Sequence, residues 1–127
     1  MPLDIKIQRD ATQAAGVVTA TLAGSLDTAT APELAEALAP VLAHTTRDVV
    51  FDLAGLKFIS SAGLRIFAST RKMLKERGGQ VSFIHMQPQI QEVFEIMKSL
   101  PGVAVFKDLG ELDRYLAARQ RSHLQNE

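Results

Sequence analysis

Short strand-like runs alternate with longer amphipathic segments along most of this chain, and no other feature limits its possible fold as strongly. Apolar and polar side chains alternate over residues 3–8, and residues 17–22 are rich in β-branched side chains, so these two runs predict an opening hairpin. Further strands are predicted over residues 48–53 and 80–85 and, as an edge-strand candidate, over residues 103–106.

Four segments between and after these strands have the apolar spacing of amphipathic helices. They cover residues 28–43, residues 60 or 61 to 78, residues 88–100 and residues 108–118. Strands and helices together predict one α/β domain, with a mixed sheet of about four to five strands and about four helices packed mainly on one face. We expect the domain to span residues 1–118 and to be followed by a polar C-terminal tail, residues 119–127.

Turn and capping residues give the expected boundaries of several elements. Gly24 is expected to end the second strand, and Pro40 predicts a kink or an early end of the first helix because proline lacks a backbone N–H. Thr30 and Glu33 have the spacing of a capping box at the start of that helix. Ser60 is expected to cap the second helix by accepting an N–H from its first turn.

The charge balance and the cysteine count exclude several classes of function. Fourteen Lys and Arg residues balance fourteen Asp and Glu residues, so bulk charge does not support binding to nucleic acid or to an anionic membrane. The chain has no cysteine, which excludes disulfides, thiol catalysis and thiolate metal ligands. No apolar run reaches the ~18 residues of a membrane span, and the N-terminus lacks a signal-peptide pattern, so we expect a cytoplasmic protein without a membrane partner.

Catalytic and metal-binding patterns are missing from the sequence. The three histidines, His44, His85 and His123, are scattered, and neither a phosphate-binding loop nor a dinucleotide fingerprint occurs. The nucleophile elbow of hydrolases needs glycine two positions before its serine, whereas Ile59 stands two positions before Ser61. We therefore expect no enzymatic activity, no catalytic residue, no metal site and no cofactor.

The most informative stretch is residues 51–64, in which a buried strand is expected to end and an apolar loop to lead to two serines at the start of a helix. Phe58 and Ile59 place apolar surface directly before the two serines. Gly63 in the first helical turn costs about 1 kcal/mol relative to alanine, which indicates that a backbone or a partner approaches closely there. This junction is therefore the candidate interaction site.

Two motifs resemble those of the STAS domain, the fold of bacterial anti-sigma factor antagonists and of a cytoplasmic domain in sulfate transporters. The first is residues 22–27, Leu-Ala-Gly-Ser-Leu-Asp, followed by residues 30–34, Thr-Ala-Pro-Glu-Leu. The second is residues 50–53, Val-Phe-Asp-Leu, leading to residues 58–64, Phe-Ile-Ser-Ser-Ala-Gly-Leu. The matching order of elements continues to about Ala118.

The resemblance implies a phosphorylation switch. In the antagonists the second motif typically reads Asp-Ser-Ser/Thr-Gly-Leu, and its first hydroxyl residue is phosphorylated by the partner anti-sigma factor, a serine kinase. Carried over, Ser61 is the phosphoacceptor, and Ser60, which replaces the family's Asp, is the alternative. Ala62 replaces the second hydroxyl residue, and Asp27 resembles a loop acid beside the phosphoacceptor. A metal-dependent phosphatase of the PP2C type is the implied partner that removes the phosphate.

The predicted function is that of an anti-sigma factor antagonist in a partner-switching cascade. The unmodified protein is expected to bind its partner through a small, partly apolar surface around the serines, and phosphorylation is expected to block this contact by its charge and bulk. The surface is predicted to consist of Asp27, Phe58, Ile59, Ser60, Ser61, Ala62, Gly63, Leu64, Arg65 and Ala68.

Two other functions are compatible with the sequence. Ser60 in place of the family's Asp favours a STAS subunit or scaffold of a transporter or larger signalling complex that is never phosphorylated. A small enzyme or nucleotide-binding protein would use Asp27, Asp52 and Ser61 at the edge of the sheet. Five cations against one acid in residues 65–77 indicate either a solvated helix face or attraction of an acidic partner.

Overall fold

Four strands form one mixed sheet in the computed structural model, which describes residues 2–9, 16–43, 46–99 and 109–125. In chain order the strands are β1 (Leu3–Arg9), β2 (Val17–Leu26), β3 (Asp48–Ile59) and β4 (Val81–Ile84). They lie side by side in this order, with β1 antiparallel to β2 and with the pairs β2–β3 and β3–β4 parallel. The opening hairpin and the mixed sheet are thereby confirmed. The edge-strand candidate at residues 103–106 lies outside the described residues.

Within the described ranges four helices accompany the sheet, as the apolar spacing predicts. They are α1 (Ala31–Leu42), α2 (Ser61–Glu76), α3 (Pro88–Ser99) and α4 (Leu109–Gln125). The first three alternate with strands along the chain, and α4 comes last. The α/β class predicted from this alternation is confirmed.

One face of the sheet carries the hydrophobic core. On β2, Val18, Ala20 and Leu22 are fully buried, whereas Thr19 and Thr21 between them are partly exposed. Because successive side chains of a strand point to opposite faces, this alternation means that one face is buried. All four helices contribute side chains to the same core, among them Leu34, Leu38, Phe67, Leu74, Ile90, Val93, Leu112 and Leu116.

β3 extends six residues beyond its predicted end at residue 53, and this extension positions the two serines. Leu56 and Ile59 in the extension are fully buried. Residues 55–59 pair with residues 23–26 of β2 across register shifts. The sequence predicts a loop here because these irregularities break the simple alternation of a strand. The added pairing brings the end of β3 beside the end of β2.

β2 likewise continues past Gly24 to Leu26, so the prediction that Gly24 ends this strand is wrong. Gly24 has a φ of +104°, and a Cβ atom there would lie 2.1 Å from the carbonyl oxygen of Pro2. Ser25 donates its N–H to the same oxygen at 3.3 Å. Glycine is required because the carbonyl of Pro2, directly before β1, approaches β2 at this distance, and the strand continues beyond this contact.

Both ends of α1 differ from their predicted form. Thr30 occupies the N-cap position without a side-chain hydrogen bond to the first turn, and its Oγ1 donates to the carbonyl of Ser25 at 2.7 Å instead of forming the capping box. Asp27 Oδ1 accepts two backbone N–H groups of the turn before the helix, each at 3.0 Å. At the other end α1 passes through Pro40 to Leu42, since a proline in the last turn deprives only one carbonyl of its partner.

α4 continues seven residues beyond Ala118, where the helix is predicted to end. The predicted tail, residues 119–127, is helical as far as Gln125, and Gln120 within it is 1% exposed. The predicted start of this helix at Asp108 lies outside the described residues. The polar composition of the last two turns predicts fraying, but it does not reveal that the side-chain amide of Gln120 is buried.

Candidate functional site

Ser60 and Ser61 lie at the junction between β3 and α2. Ser60 donates its backbone N–H to the carbonyl of Leu26 at 2.9 Å, which fastens the junction to the end of β2. Its side chain is in the N-cap position but makes no capping hydrogen bond, and the residue is 4% exposed. Within the described part of the chain its buried Oγ has no hydrogen-bond partner. The prediction that Ser60 caps α2 is therefore wrong.

The cap of α2 comes from α4 instead. Asp113 Oδ1 accepts the backbone N–H of Ser61 at 2.8 Å, and Asp113 Oδ2 accepts the Oγ–H of the same serine at 3.0 Å. A carboxylate at a helix N-terminus satisfies an otherwise unpaired N–H and interacts favourably with the helix dipole, by about 0.3–1 kcal/mol. The backbone N–H and the hydroxyl of Ser61 are thus held by the same carboxylate, and the residue is 8% exposed.

A second side chain of α4 binds the last residue of β3. Gln120 Oε1 accepts the N–H of Ile59 at 2.9 Å, and its Nε2 donates to the carbonyl of Ile59 at 2.8 Å. Asp113 and Gln120 are seven residues apart, which is about two helical turns, so they lie on the same face of α4. We name this pair of side chains the α4 clamp. It holds the residues on either side of Ser60.

The α4 clamp was not among the sequence predictions, although the sequence contains a signal for it. Leu112 and Leu116 form the buried stripe of α4, and Asp113 and Gln120 border this stripe at helical spacing. A polar side chain beside a buried stripe needs a hydrogen-bond partner from the core side. The spacing indicates that such partners exist, but not that they are residues 59 and 61.

The predicted docking surface divides by exposure into a buried part and an accessible part. The buried residues are Ile59, Ser60, Ser61 and Gly63. The partly exposed residues are Asp27, Phe58, Ala62 and Leu64, and the exposed ones are Arg65 and Ala68. Asp27 also orders the turn before α1 through its Oδ1. As a binding site these ten residues remain a prediction. The part that a partner could touch without rearrangement is the outer side of the first two turns of α2.

The close approach predicted at Gly63 comes from the protein's own core. A Cβ atom on Gly63 would lie 2.6 Å from Leu26 Cγ, 2.8 Å from Leu26 Cδ2 and 3.1 Å from Ile59 Cγ1. Both neighbours are fully buried, so they have little room to move. Glycine is needed here so that α2 can pack closely against the ends of β2 and β3.

Gly63→Ala is therefore expected to destabilise the protein by about 1–3 kcal/mol, as overpacking does. Helix propensity alone has the opposite sign, since alanine is favoured over glycine by about 1 kcal/mol. Urea unfolding measures the difference, with Ser69→Ala on the exposed side of α2 as the control. A stabilised Gly63→Ala variant would contradict the close contact with Leu26.

A shallow groove of about 280 Å³ adjoins the accessible part of the surface. It lies between the N-terminal ends of α1 and α2, and its floor is mostly apolar. Five of its lining residues were not predicted as site residues. The lining consists of Thr28, Ala31, Pro32, Ala62, Arg65, Ile66 and Ser69. The groove therefore extends the candidate surface from α2 towards α1.

The cations of α2 divide into two groups. The first group is exposed along the helix and consists of Arg65, Arg71, Lys72 and Lys75. Arg77, directly after the helix, instead donates to the carbonyl oxygens of Leu42 and Thr46. Arg77 thus ties the end of α2 to the end of α1, while the other four are accessible to a partner.

Asp52 lies apart from the serines, so the edge site that the enzyme alternative requires is not assembled. It precedes Ile59 by seven residues on β3, which corresponds to roughly 20 Å along a strand. Its Oδ1 accepts the N–H of Ala54 at 3.1 Å and lies 3.1 Å from Nδ1 of His85. The Ala54 N–H, assisted by His85, lowers the pKa of the Asp52 carboxyl. This is a local turn and strand contact on the surface.

Two further properties of the described residues bear on function. No group of three or more His, Cys, Asp or Glu side chains in residues 2–9, 16–43, 46–99 and 109–125 is arranged to hold a metal ion. Over the same ranges, none of the helices combines the length and apolar character needed to cross a membrane.

Comparison with known proteins identifies relatives in sequence. A sequence model of the STAS domain matches residues 8–112. BtrV of Bordetella bronchiseptica, whose name describes it as a candidate anti-sigma factor antagonist, is 38% identical over 81 residues, which cover 64% of this chain and 70% of BtrV. An anti-sigma-B factor antagonist of Staphylococcus aureus is 34% identical over 73 residues, which cover 58% of this chain and 68% of that protein.

Solved structures support the same assignment at the level of the fold. The anti-sigma factor antagonist SpoIIAA in its unphosphorylated form superposes with a TM-score of 0.61 and 15% identity, covering 73% of this chain and 83% of SpoIIAA. Bacillus SpoIIAA in its phosphorylated form gives a TM-score of 0.60 and 15% identity over 73% and 82% of the two chains. With a family match over most of its length and relatives that are named antagonists, this chain belongs to the STAS domain family.

Proposed function

We propose that this protein is an anti-sigma factor antagonist that binds an anti-sigma factor with serine kinase activity and releases it when Ser61 is phosphorylated. The observation that carries the proposal is the position of Ser61 as the first residue of α2, directly beside the partly exposed Ala62. Membership of the STAS family and relatives named as antagonists support the same function.

The docking surface that we propose is small and partly apolar. Ala62 and Leu64 are partly exposed, Ala68 is exposed, and the groove beside Ala62 adds apolar area from α1. A partner desolvates few charges when it covers such a surface. Arg65 lies within it, and the other exposed cations, Arg71, Lys72 and Lys75, follow along the same helix. They favour a partner with acidic groups on this side, since complementary charge raises the association rate.

Phosphorylation would make the same surface unfavourable for docking. A phosphate adds about −1.5 to −2 charges and three acceptor oxygens at the edge of the contact. Burying such a group without a matched partner costs free energy, and a penalty of about 4 kcal/mol corresponds to a thousandfold loss of affinity. The switch therefore needs only one modified hydroxyl.

The transfer takes the γ-phosphoryl group of ATP bound to the kinase. A bond forms between Ser61 Oγ and the γ-phosphorus while the bond from that phosphorus to the β–γ bridging oxygen breaks. ADP leaves with this oxygen, and the hydroxyl proton passes to a base of the kinase. A PP2C-type phosphatase would reverse the state by hydrolysis, with water supplying the oxygen of the released phosphate.

The proposal predicts one phosphate on Ser61 after incubation with the cognate kinase. The purified protein is incubated with each anti-sigma factor kinase of the source organism and Mg·ATP, and intact mass and peptide fragmentation locate the phosphate. Ser60→Ala is expected to keep the modification and Ser61→Ala to lose it. Absence of phosphate with all of these kinases, or phosphate on Ser60 alone, would overturn the proposed switch.

The burial of Ser61 favours a second candidate, a STAS subunit or scaffold that is never phosphorylated. Ser61 is 8% exposed and its hydroxyl is already bonded to Asp113. This candidate predicts stable binding to a larger complex and unmodified serines in the protein purified from its native cell. The kinase experiment separates the two candidates, because only the switch requires modification at residue 61.

A further inference from the structure

We infer that the N-terminus of α2 accepts one anion at a time, that Asp113 occupies this position in the unmodified protein, and that phosphate on Ser61 expels it. The inference rests on the proposed phosphorylation of Ser61 and adds a restraint to it. Asp113 is then a positioning residue that keeps the Ser61 hydroxyl hydrogen-bonded until the kinase displaces the carboxylate.

The contact geometry makes the two anions mutually exclusive. Asp113 Oδ2 lies 3.0 Å from Ser61 Oγ, and Oδ1 already takes the backbone N–H of Ser61 at 2.8 Å. A phosphorus atom bonded to Oγ would carry its oxygens into the space beside this carboxylate. Two negative groups at that distance in a largely buried position repel each other strongly. Both groups also compete for the same N–H and the same helix dipole.

The substitution at residue 60 explains why the anion comes from α4. Ser60 stands where the resembling motif has an acid, and its side chain makes no capping hydrogen bond. Asp113, which is 52 positions after Ser61 in the sequence, supplies the negative charge that position 60 lacks. The cap of α2 therefore depends on the docking of α4, and phosphorylation acts on that docking.

Other contacts limit the change to the N-terminal half of α4. Gln120 makes two hydrogen bonds to Ile59, and Leu116 is fully buried. Arg119 pairs with Glu92 of α3 through its Nε at 2.9 Å. These contacts do not involve Ser61, so they persist when Asp113 leaves. Expulsion of Asp113 should loosen the first turns of α4 while the segment around Gln120 stays docked.

The first test needs no kinase. A double-mutant cycle combines Ser61→Glu, which introduces a carboxylate at the serine, with Asp113→Asn, which removes the opposing charge at nearly constant shape. We expect Ser61→Glu to raise the equilibrium constant for unfolding, and this increase should be at least tenfold larger in the wild-type background than in the Asp113→Asn background. Asp4→Asn on β1 is the matched control and should show no coupling. Additive effects within about twofold would overturn the inference.

The second test uses the kinase that modifies the wild-type protein. Asp113→Asn is expected to be phosphorylated at least tenfold faster, because approach of the γ-phosphate no longer meets a carboxylate. Hydrogen exchange should become faster over residues 110–115 of the phosphorylated protein and stay slow around residue 120. An equal or slower rate for Asp113→Asn would overturn the restraint. Charge coupling without phosphate on either protein would overturn the proposed function and support the competition between anions.

Discussion

Ser61→Glu is expected to weaken binding to the anti-sigma factor at least a hundredfold, and phosphorylation of Ser61 about a thousandfold. These losses correspond to about 2.7 and 4 kcal/mol of binding free energy. The reason is that the partner must cover the start of α2, where a new negative charge would be buried without a matched group. Isothermal titration calorimetry with the kinase that modifies Ser61 measures both values.

Two controls separate an effect on docking from an effect on folding. Ser122→Glu adds the same charge at an exposed position near the far end of α4 and should leave the affinity within about threefold, since surface charges distant from an interface contribute little. The double variant Ser61→Glu, Asp113→Asn removes the repulsion inside the protein, so it should regain stability without regaining affinity. If this double variant bound as tightly as the wild type, the partner would not cover Ser61, and the proposed switch would be wrong.

The class of fold was predictable because it depends on local periodicity. Alternation over residues 3–8 and the apolar stripe of α2 are visible in one short window, and both elements form as expected. The end of β2 and the last six residues of β3 were not predictable in the same way. Their pairing contains register shifts, and Gly24 is required by the close approach of Pro2, which is a contact between residues far apart in the sequence.

In the candidate site, too, the local features were predictable and the contacts between distant residues were not. Ser61 was identified from a motif that is contiguous in the sequence, and its position at the start of α2 follows from the same residues. Its hydrogen-bond partner Asp113 was missed because 52 residues separate the two. Spacing within α4 reveals which side chains lie on one face, but not which part of the sheet they contact. Capping was therefore assigned to Ser60, the nearest hydroxyl, whereas the protein uses a carboxylate from another helix.

Gln120→Ala is expected to destabilise the protein by about 3 kcal/mol. It removes the side chain that bonds both backbone groups of the buried Ile59. The N–H and the carbonyl of Ile59 bond to this amide at 2.9 and 2.8 Å, and Ile59 is fully buried. An unsatisfied buried group costs about 1–3 kcal/mol. For a domain of this size the change corresponds to a fall in Tm of roughly 10 °C, which calorimetry measures. Arg121→Ala, exposed on the same helix, should change stability by less than about 0.5 kcal/mol.

Gln120→Glu tests the same contact with an isosteric side chain. The glutamate still accepts the N–H of Ile59, but when ionised it cannot donate to the carbonyl, and its charge would be buried at a position that is 1% exposed in the wild type. Burial raises the pKa of such a carboxyl in the folded state, so this variant should gain stability relative to the wild type as the pH falls towards about 4, where the protonated group donates again. Gln120→Ala should show no such gain. If both variants were as stable as Arg121→Ala at every pH, residues 119–125 would behave as the frayed tail that their composition predicts, and α4 would not be clamped to β3.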